Sequence, residues 1–191
     1  MKVFFLSAIT LCMLGCQSGT KEKTAAPSAS ESSTISPEGD TTTKQMDTAA
    51  GPDIKNLGNI FLEQPTQETV KALGNPDEKS KPVEWGADGL MHEDWNWKTK
   101  GLLLNMSSGK EAVSASQSVF SITATAPCTL KTKAGISIGS RYDEIKAAYK
   151  NMINTEESSP EQVVIGSIYG GIIFTIEQNK VSRIFLGAAA E

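Results

Sequence analysis

The sequence predicts an α+β fold in which two tandem helix-plus-antiparallel-sheet repeats form a two-layer domain. Three observations lead there. The first is an internal repeat. Asn59-Ile60-Phe61-Leu62 precedes a helical stretch from Thr66 to Leu73 and then Gly74-Asn75-Pro76. Gly135-Ile136-Ser137-Ile138 precedes a second helical stretch from Ser140 to Met152. Val70-Lys71-Ala72-Leu73 aligns with Ile145-Lys146-Ala147-Ala148. Gly101-Leu102-Leu103-Leu104-Asn105-Met106 aligns with Gly171-Ile172-Ile173-Phe174-Thr175-Ile176, and Val119-Phe120-Ser121-Ile122 with Val181-Ser182-Arg183-Ile184. Self-similarity of this kind constrains architecture more than local propensity does. The second observation is apolar spacing. Tyr142, Ile145, Ala148, Tyr149 and Met152 fall on one helical face, whereas Met91 to Trp97 alternates with a period of two. The third is turn chemistry between the apolar runs, with Gly, Asp or Asn at each break.

The elements follow in chain order. Lys2 precedes an apolar stretch from Val3 to Leu14. That is too short for a spanning helix, which needs about 20 residues, and it reads as a cleaved signal segment. Cys16 closes the stretch behind Leu14 and Gly15. The arrangement resembles the lipobox of a bacterial lipoprotein, with Met13 and Leu14 departing from the commonest residues. The resemblance implies that Cys16 is lipidated and becomes the new N-terminus. Gln17 after the cysteine then implies the outer membrane of a Gram-negative envelope. Residues 1–15 are therefore expected to be a lipoprotein signal peptide and 16–52 a disordered tether. The tether is rich in Ser, Thr, Ala, Lys and Glu, and its only large apolar residues are Ile35 and Met46. Such a composition cannot offset the entropy of ordering. Residues 53–191 are the expected globular domain, with repeat one at about 57–126 and repeat two at about 133–187.

Within the domain, Thr66 is the expected N-cap of the first helix, and Gly74 with Pro76 its stop. Ala87-Asp88-Gly89 reads as a hairpin turn between Trp85 and Leu90. Alternation then puts Met91, Glu93, Trp95 and Trp97 on one strand face and His92, Asp94 and Asn96 on the other. Lys98-Thr99-Lys100-Gly101 is the next turn. Ser140 with Asp143 reads as a capping-box-like start of the second helix. Tyr169-Gly170-Gly171 and Gln178-Asn179-Lys180 are tight turns of the second copy.

Composition narrows the function. The formal net charge is −4 and no basic stripe appears, which disfavours nucleic acid as a partner. Of the three cysteines, Cys12 leaves with the signal and Cys16 is acylated. Cys128 cannot form an internal disulfide alone and reads as a buried small hydrophobe. A catalytic thiol needs an activating base, and nothing in the sequence links the single histidine, His92, to it. His92-Glu93-Asp94 is split by alternation, so His92 and Asp94 share a face without the further ligands a transition metal needs. That face reads as solvated and polar. Glu156-Glu157-Ser158-Ser159-Pro160-Glu161 reads as an exposed acidic loop. Gly170-Gly171 lacks the strand–turn–helix setting of a phosphate loop. Neither a catalytic residue, a metal nor a cofactor is expected. Trp85, Trp95, Trp97, His92, Asp94 and Tyr169 are the candidate partner-binding residues, because Trp and Tyr dominate interface hot spots. A small two-layer domain also needs bulk between its layers, so at least two of the three tryptophans are expected in the core.

The pattern carried by Gly74-Asn75-Pro76, Trp95-Asn96-Trp97, Gly101-Leu102-Leu103-Leu104 and Gly135-Ile136-Ser137-Ile138-Gly139 resembles the repeat of the beta-lactamase-inhibitor-protein-like fold. Small outer-membrane lipoproteins of the SmpA/OmlA type share that fold. The resemblance covers Asn59 to Leu186. It departs from the lipoproteins in having two repeats, and from the inhibitor proteins in lacking disulfides. It implies a protein that binds other proteins with a sheet face and performs no chemistry. The expectation is a lipid-anchored envelope protein-binding module, acting in envelope assembly or in inhibition of an envelope enzyme. The alternative is a small-molecule or metal-binding envelope lipoprotein using the His92 and Asp94 face.

Overall fold

The computed structural model describes residues 53–110 and 116–189. The expected signal segment, the tether and the lipidation at Cys16 lie outside the described residues. A short hairpin of β1 (Asn56–Leu57) and β2 (Ile60–Phe61) leads into α1 (Thr66–Leu73). Two short strands follow, β3 (Glu78–Lys79) and β4 (Val83–Glu84), and then three long ones, β5 (Met91–Trp97), β6 (Leu102–Ser108) and β7 (Ser118–Thr125). α2 (Tyr142–Ala148) precedes β8 (Gln162–Ser167), β9 (Gly170–Glu177) and β10 (Lys180–Gly187). The main sheet has the order β3-β5-β6-β7-β10-β9-β8, with β4 also on β5, and every pairing is antiparallel. The chain is thus mixed α and β, with both helices packed on one face of a large antiparallel sheet.

Alternation builds that face. Trp95 and Trp97 on β5 stand opposite Leu104 and Leu102 on β6, and all four are buried. Val163 and Ile165 on β8 stand opposite Phe174 and Ile172 on β9 in the same way. Across β7 and β10, Ile122 stands opposite Leu186 and Ala124 opposite Ile184, all four buried. Val70 and Leu73 of α1, Ile145 of α2 and Tyr149, which caps the end of α2, close over the same cluster. Each buried aliphatic side chain contributes about 1.5–3 kcal/mol relative to exposure.

The attachment of each helix follows one scheme. Glu63 N–H bonds Val119 O, Val119 N–H bonds Gln64 O, and Thr66 N–H bonds Gln117 O. Near α2, Gly139 N–H bonds Val181 O, Val181 N–H bonds Ser140 O, and Tyr142 N–H bonds Asn179 O. Glu63 and Gly139 both have positive φ, 70° and 84°. Each three-stranded unit also carries a β-bulge. The β6–β7 register shifts between Asn105 and Met106, leaving Phe120 as the extra residue. The β9–β10 register shifts between Val181 and Arg183, leaving Ser182 as the extra residue.

Several local expectations need correction. Pro65, not Thr66, occupies the N-cap of α1. The Thr66 hydroxyl donates to Gln117 O instead, 2.9 Å away, and so ties the helix to β7. α2 is shorter than Ser140 to Met152. Ser140 does not cap it, because the Ser140 hydroxyl accepts from Ser137 N–H, while Glu144 reaches back to Arg141 N–H. Asp143 turns aside to Lys146, 2.8 Å away. The helix stops at Ala148 because the chain is needed on the sheet edge. Met152 O accepts from Gly166 N–H and Asn154 N–H donates to Val164 O. Gly135 to Ile138 follows a turn at Thr132–Gly135, which Gly135 N–H to Thr132 O closes. The 156–161 loop is not uniformly exposed. Glu157 is half-buried, and its carboxylate accepts from Asn154 Nδ2 and Ile168 N–H.

One sheet edge is covered and the other is short and interrupted. The 152–159 segment bonds along β8 on one side. On the other, β3 and β4 are two residues each, exposed, and separated by Ser80, Lys81 and Pro82. Short, charged, proline-bearing edges resist pairing with another chain.

Candidate functional site

Alternation that points Trp95 and Trp97 inward points His92 to the opposite face. There the β4–β5 hairpin turn folds Trp85 back over it. Asp88 sits in that turn, where its carboxylate accepts from Leu90 N–H at 2.9 Å. The Trp85 and His92 rings stack 3.7 Å apart at 10°. Phe120, placed by the bulge in β7, meets both edge-on, 4.8 Å from His92 and 5.7 Å from Trp85. His92 is consequently 2% exposed. The expectation of a solvated face fails at this residue, because two aromatic rings exclude water from it.

Burial obliges the imidazole to find partners. Nε2 lies 2.9 Å from Asp88 Oδ2 and Nδ1 lies 2.6 Å from Asn105 Oδ1. Asn105 Nδ2 in turn donates to Asp94 Oδ1 at 2.8 Å. The Asp94 carboxylate fixes the amide orientation, since turning it over would set two oxygens against each other. Both ring nitrogens therefore face oxygen acceptors. The Leu90 N–H, opposed by desolvation and aided by His92, holds Asp88 below the usual carboxylate range. The chain Asp88–His92–Asn105–Asp94 is fully hydrogen-bonded, and neither imidazole nitrogen is free to take a proton from a substrate or to coordinate a metal.

The other candidates separate. Trp97 is 1% exposed, with Nε1 donating to Gly74 O at 3.1 Å. Trp95 is 2% exposed under the Lys79 ammonium, which sits 3.4 Å from its ring centroid. Both belong to the core and offer no surface, because their strand face is the one the helices cover. Trp85 is half-buried and Asp94 exposed. Tyr169, at the β8–β9 turn, is 69% exposed. It stands at a cleft of about 390 Å³ whose other walls include Phe120, Leu62 and Ile54. Phe120 thus belongs both to the Trp85–His92 stack and to the cleft that Tyr169 rims.

The chain matches no family model, no curated protein and no solved structure. The geometry alone therefore bears on what the site does. Among the described residues, no three His, Cys, Asp or Glu side chains are grouped to hold a metal ion. Cys128 is 6% exposed, and burial pushes its thiol up, away from the reactive thiolate.

Sequence reasoning missed Phe120 and Asn105. Phe120 looked like one more strand residue, and only the bulge turns it toward Trp85. Asn105 carried a usable signal, since an Asn interrupting Leu102-Leu103-Leu104 and Met106 asks for a partner. The partner strand, β5, shows that it pairs with Asp94.

Proposed function

We propose that this protein is a lipid-anchored envelope module that binds another protein and performs no chemistry of its own. We propose further that its domain is two tandem copies of one helix-plus-sheet unit, in the style of the beta-lactamase-inhibitor-protein-like fold. The cleft between Phe120 and the exposed Tyr169 carries the binding reading. It pairs an aromatic wall with an aromatic rim, the composition of interface anchors. With one sheet edge covered and the other reduced to two-residue strands broken by Pro82, a partner is left with side-chain surfaces instead of strand addition. The tandem reading is supported by the shared helix attachment and by the two bulges, which fall at aligned positions. The anchor and the envelope location rest on the Leu14-Gly15-Cys16 pattern. None of the described helices is long and apolar enough to cross a membrane.

The reading is tested in intact cells with a photo-reactive amino acid in place of Tyr169. A single defined protein adduct, weakened by Trp85→Ala, is the expected result. Turnover of a small substrate by the purified protein, lost on changing His92 or Asp94, would overturn it. For the anchor, Cys16→Ser should release the protein from membranes, and mass spectrometry of the mature N-terminus should find acyl chains on Cys16. An unmodified leader on a soluble protein would end that part of the proposal.

A further inference from the structure

The two halves of the domain differ at one matched place. In the first half, Gln117 closes the space between the start of α1 and β5. It is 7% exposed, and its Nε2 donates to Glu93 Oε2 at 3.1 Å. Its backbone oxygen accepts from both the amide and the hydroxyl of Thr66. Register identifies the counterparts in the second half. Asn179 O accepts from Tyr142 N–H as Gln117 O does from Thr66. Ile176 N–H bonds Glu161 O, opposite which Ile176 lies as Met106 lies opposite Glu93. Here the connection between the last two strands is only Gln178 and Asn179, a turn with φ of 49° and 63°. Asn179 remains exposed and makes no side-chain bond to Glu161 among the described residues. The space stays open as a groove of about 1090 Å³.

We infer that this groove docks a basic segment of a partner protein, with a Lys or Arg side chain taking toward Glu161 the place that Gln117 takes toward Glu93. The inference rests on the protein-binding reading above and adds a second surface with its own chemistry. The floor is apolar, formed by Tyr142, Ile153 and Ile176, and the rim carries the exposed carboxylates of Glu161 and Glu177. No Lys or Arg lines the groove, and neither carboxylate is in an ion pair among the described residues. The Tyr142 ring already accepts a cation, with Lys146 Nζ 4.6 Å from its centroid. Lys146 is itself neutralised by Asp143. An arriving cation therefore meets unpaired negative charge beside apolar surface. That combination favours the long stems of Lys and Arg, which bury their methylenes and keep their charge paired.

The test uses the full chain extracted from membranes and immobilised. It is probed with basic, neutral and acidic peptides of about 15 residues, a length that spans an extended groove. Basic peptides should be retained, and Glu161→Gln combined with Glu177→Gln should lower their affinity by about tenfold. Lys133→Gln, on an exposed turn elsewhere, should leave retention unchanged. Retention indifferent to peptide charge, or to the double substitution, would overturn the inference. So would a dimer of the chain that the same substitutions abolish, since the occupant would then be a second copy. Circular dichroism melts of each variant confirm that the fold is kept. A photo-reactive residue in place of Thr155 separates this inference from the reading it rests on. An adduct mapped to a Lys- or Arg-bearing segment supports it. Adducts from position 169 with none from 155 sink the groove alone, and adducts from neither position sink both.

Discussion

The two halves of the sheet share a helix attachment and a β-bulge and fill the positions around them differently. In the first, the aromatic bulk of the core sits on β5, where Trp95 and Trp97 face Leu104 and Leu102. In the second, the matching residues on β8 are Val163 and Ile165, and the bulk moves to Phe174 on β9 and Tyr149 just after α2, whose rings are 5.8 Å apart. The bulges diverge too. The extra residue in β7 is Phe120, which props the Trp85–His92 stack, whereas in β10 it is Ser182, whose hydroxyl turns to Thr175 O. Bulge position and helix attachment are therefore alike in the two halves, while volume and surface chemistry differ. The candidate site is built on a backbone irregularity common to both halves, and only one half put an aromatic ring there.

The core comparison is broken most forcefully at its largest side chain. Trp97→Ala should cost about 3–5 kcal/mol, because a fully buried indole leaves a cavity and strands Gly74 O. Ile165→Ala, at the matching position, should cost about 2–5 kcal/mol. Because one continuous cluster spans both halves, urea unfolding of either variant should remain a single transition. Two separated transitions would show that the halves fold independently.

A smaller effect is expected at the matched glycines. Gly101 has φ of 62°, and a Cβ there would lie 2.3 Å from Thr125 O and 2.8 Å from Cys128 N. Gly171 has no positive φ, but its Cβ would lie 2.2 Å from Ile165 O. Gly101→Ala should destabilise by about 1–3 kcal/mol through backbone strain. A clash adds to that strain at Gly101, whereas Gly171→Ala acts through the clash alone, so its melting shift should be the smaller of the two. Unchanged melts for either would mean that its strand ends can separate freely.

His92→Ala addresses the feature that has no counterpart in the second half. It removes a stacked ring and leaves Asn105 Oδ1 buried without a donor, at a cost of about 1–3 kcal/mol. Weakened binding at the Trp85–Tyr169 surface should accompany it, because Trp85 then loses its stacking partner and keeps only the edge contact with Phe120.

Much of this is legible in the chain. The period-two run from Met91 to Trp97, the turns at Asp88-Gly89 and Gln178-Asn179, and the order of each half can be read directly, because they depend on local pattern. The first helix reads as it is found, Thr66 to Leu73, but each N-cap reads one residue off. Thr66 and Ser140 have hydroxyls suited to capping, yet Gln117 O, distant in sequence, and Ser137 N–H, three residues back, claim them. His92 reads as solvated for a related reason. Period-two alternation assigns it a face but says nothing of what covers that face. The cover comes from Trp85 and Phe120, which are seven and twenty-eight residues away in sequence. The groove is invisible in the sequence because its meaning lies in a contrast, a long connection ending at Gln117 in one half against a two-residue turn in the other.

The gentlest test of the contrast is a pH titration of the network. Asp88 is held below its ordinary carboxylate range, chiefly by the Leu90 N–H and secondarily by His92. A carboxyl whose folded-state value is depressed binds protons more readily when unfolded. Its contribution is therefore complete above the unfolded-state value of about 3.9, and is lost as pH falls through the folded-state one. Melting temperature followed from neutral pH downward should fall on the acid side, and Asp88→Asn should flatten part of that fall while changing little at neutral pH. The group is at the surface, so the effect is small and diminishes with added salt. Asp143 is also depressed, by Lys146, and Asp143→Asn gives the comparison from the second half. If Asp88 matters through His92, then in a His92→Ala background Asp88→Asn should flatten the acid limb less than in the parent. Asp143→Asn should behave identically in both. Equal effects of Asp88→Asn in the two backgrounds would mean that the turn, through Leu90, uses Asp88 for itself and that the imidazole is a bystander.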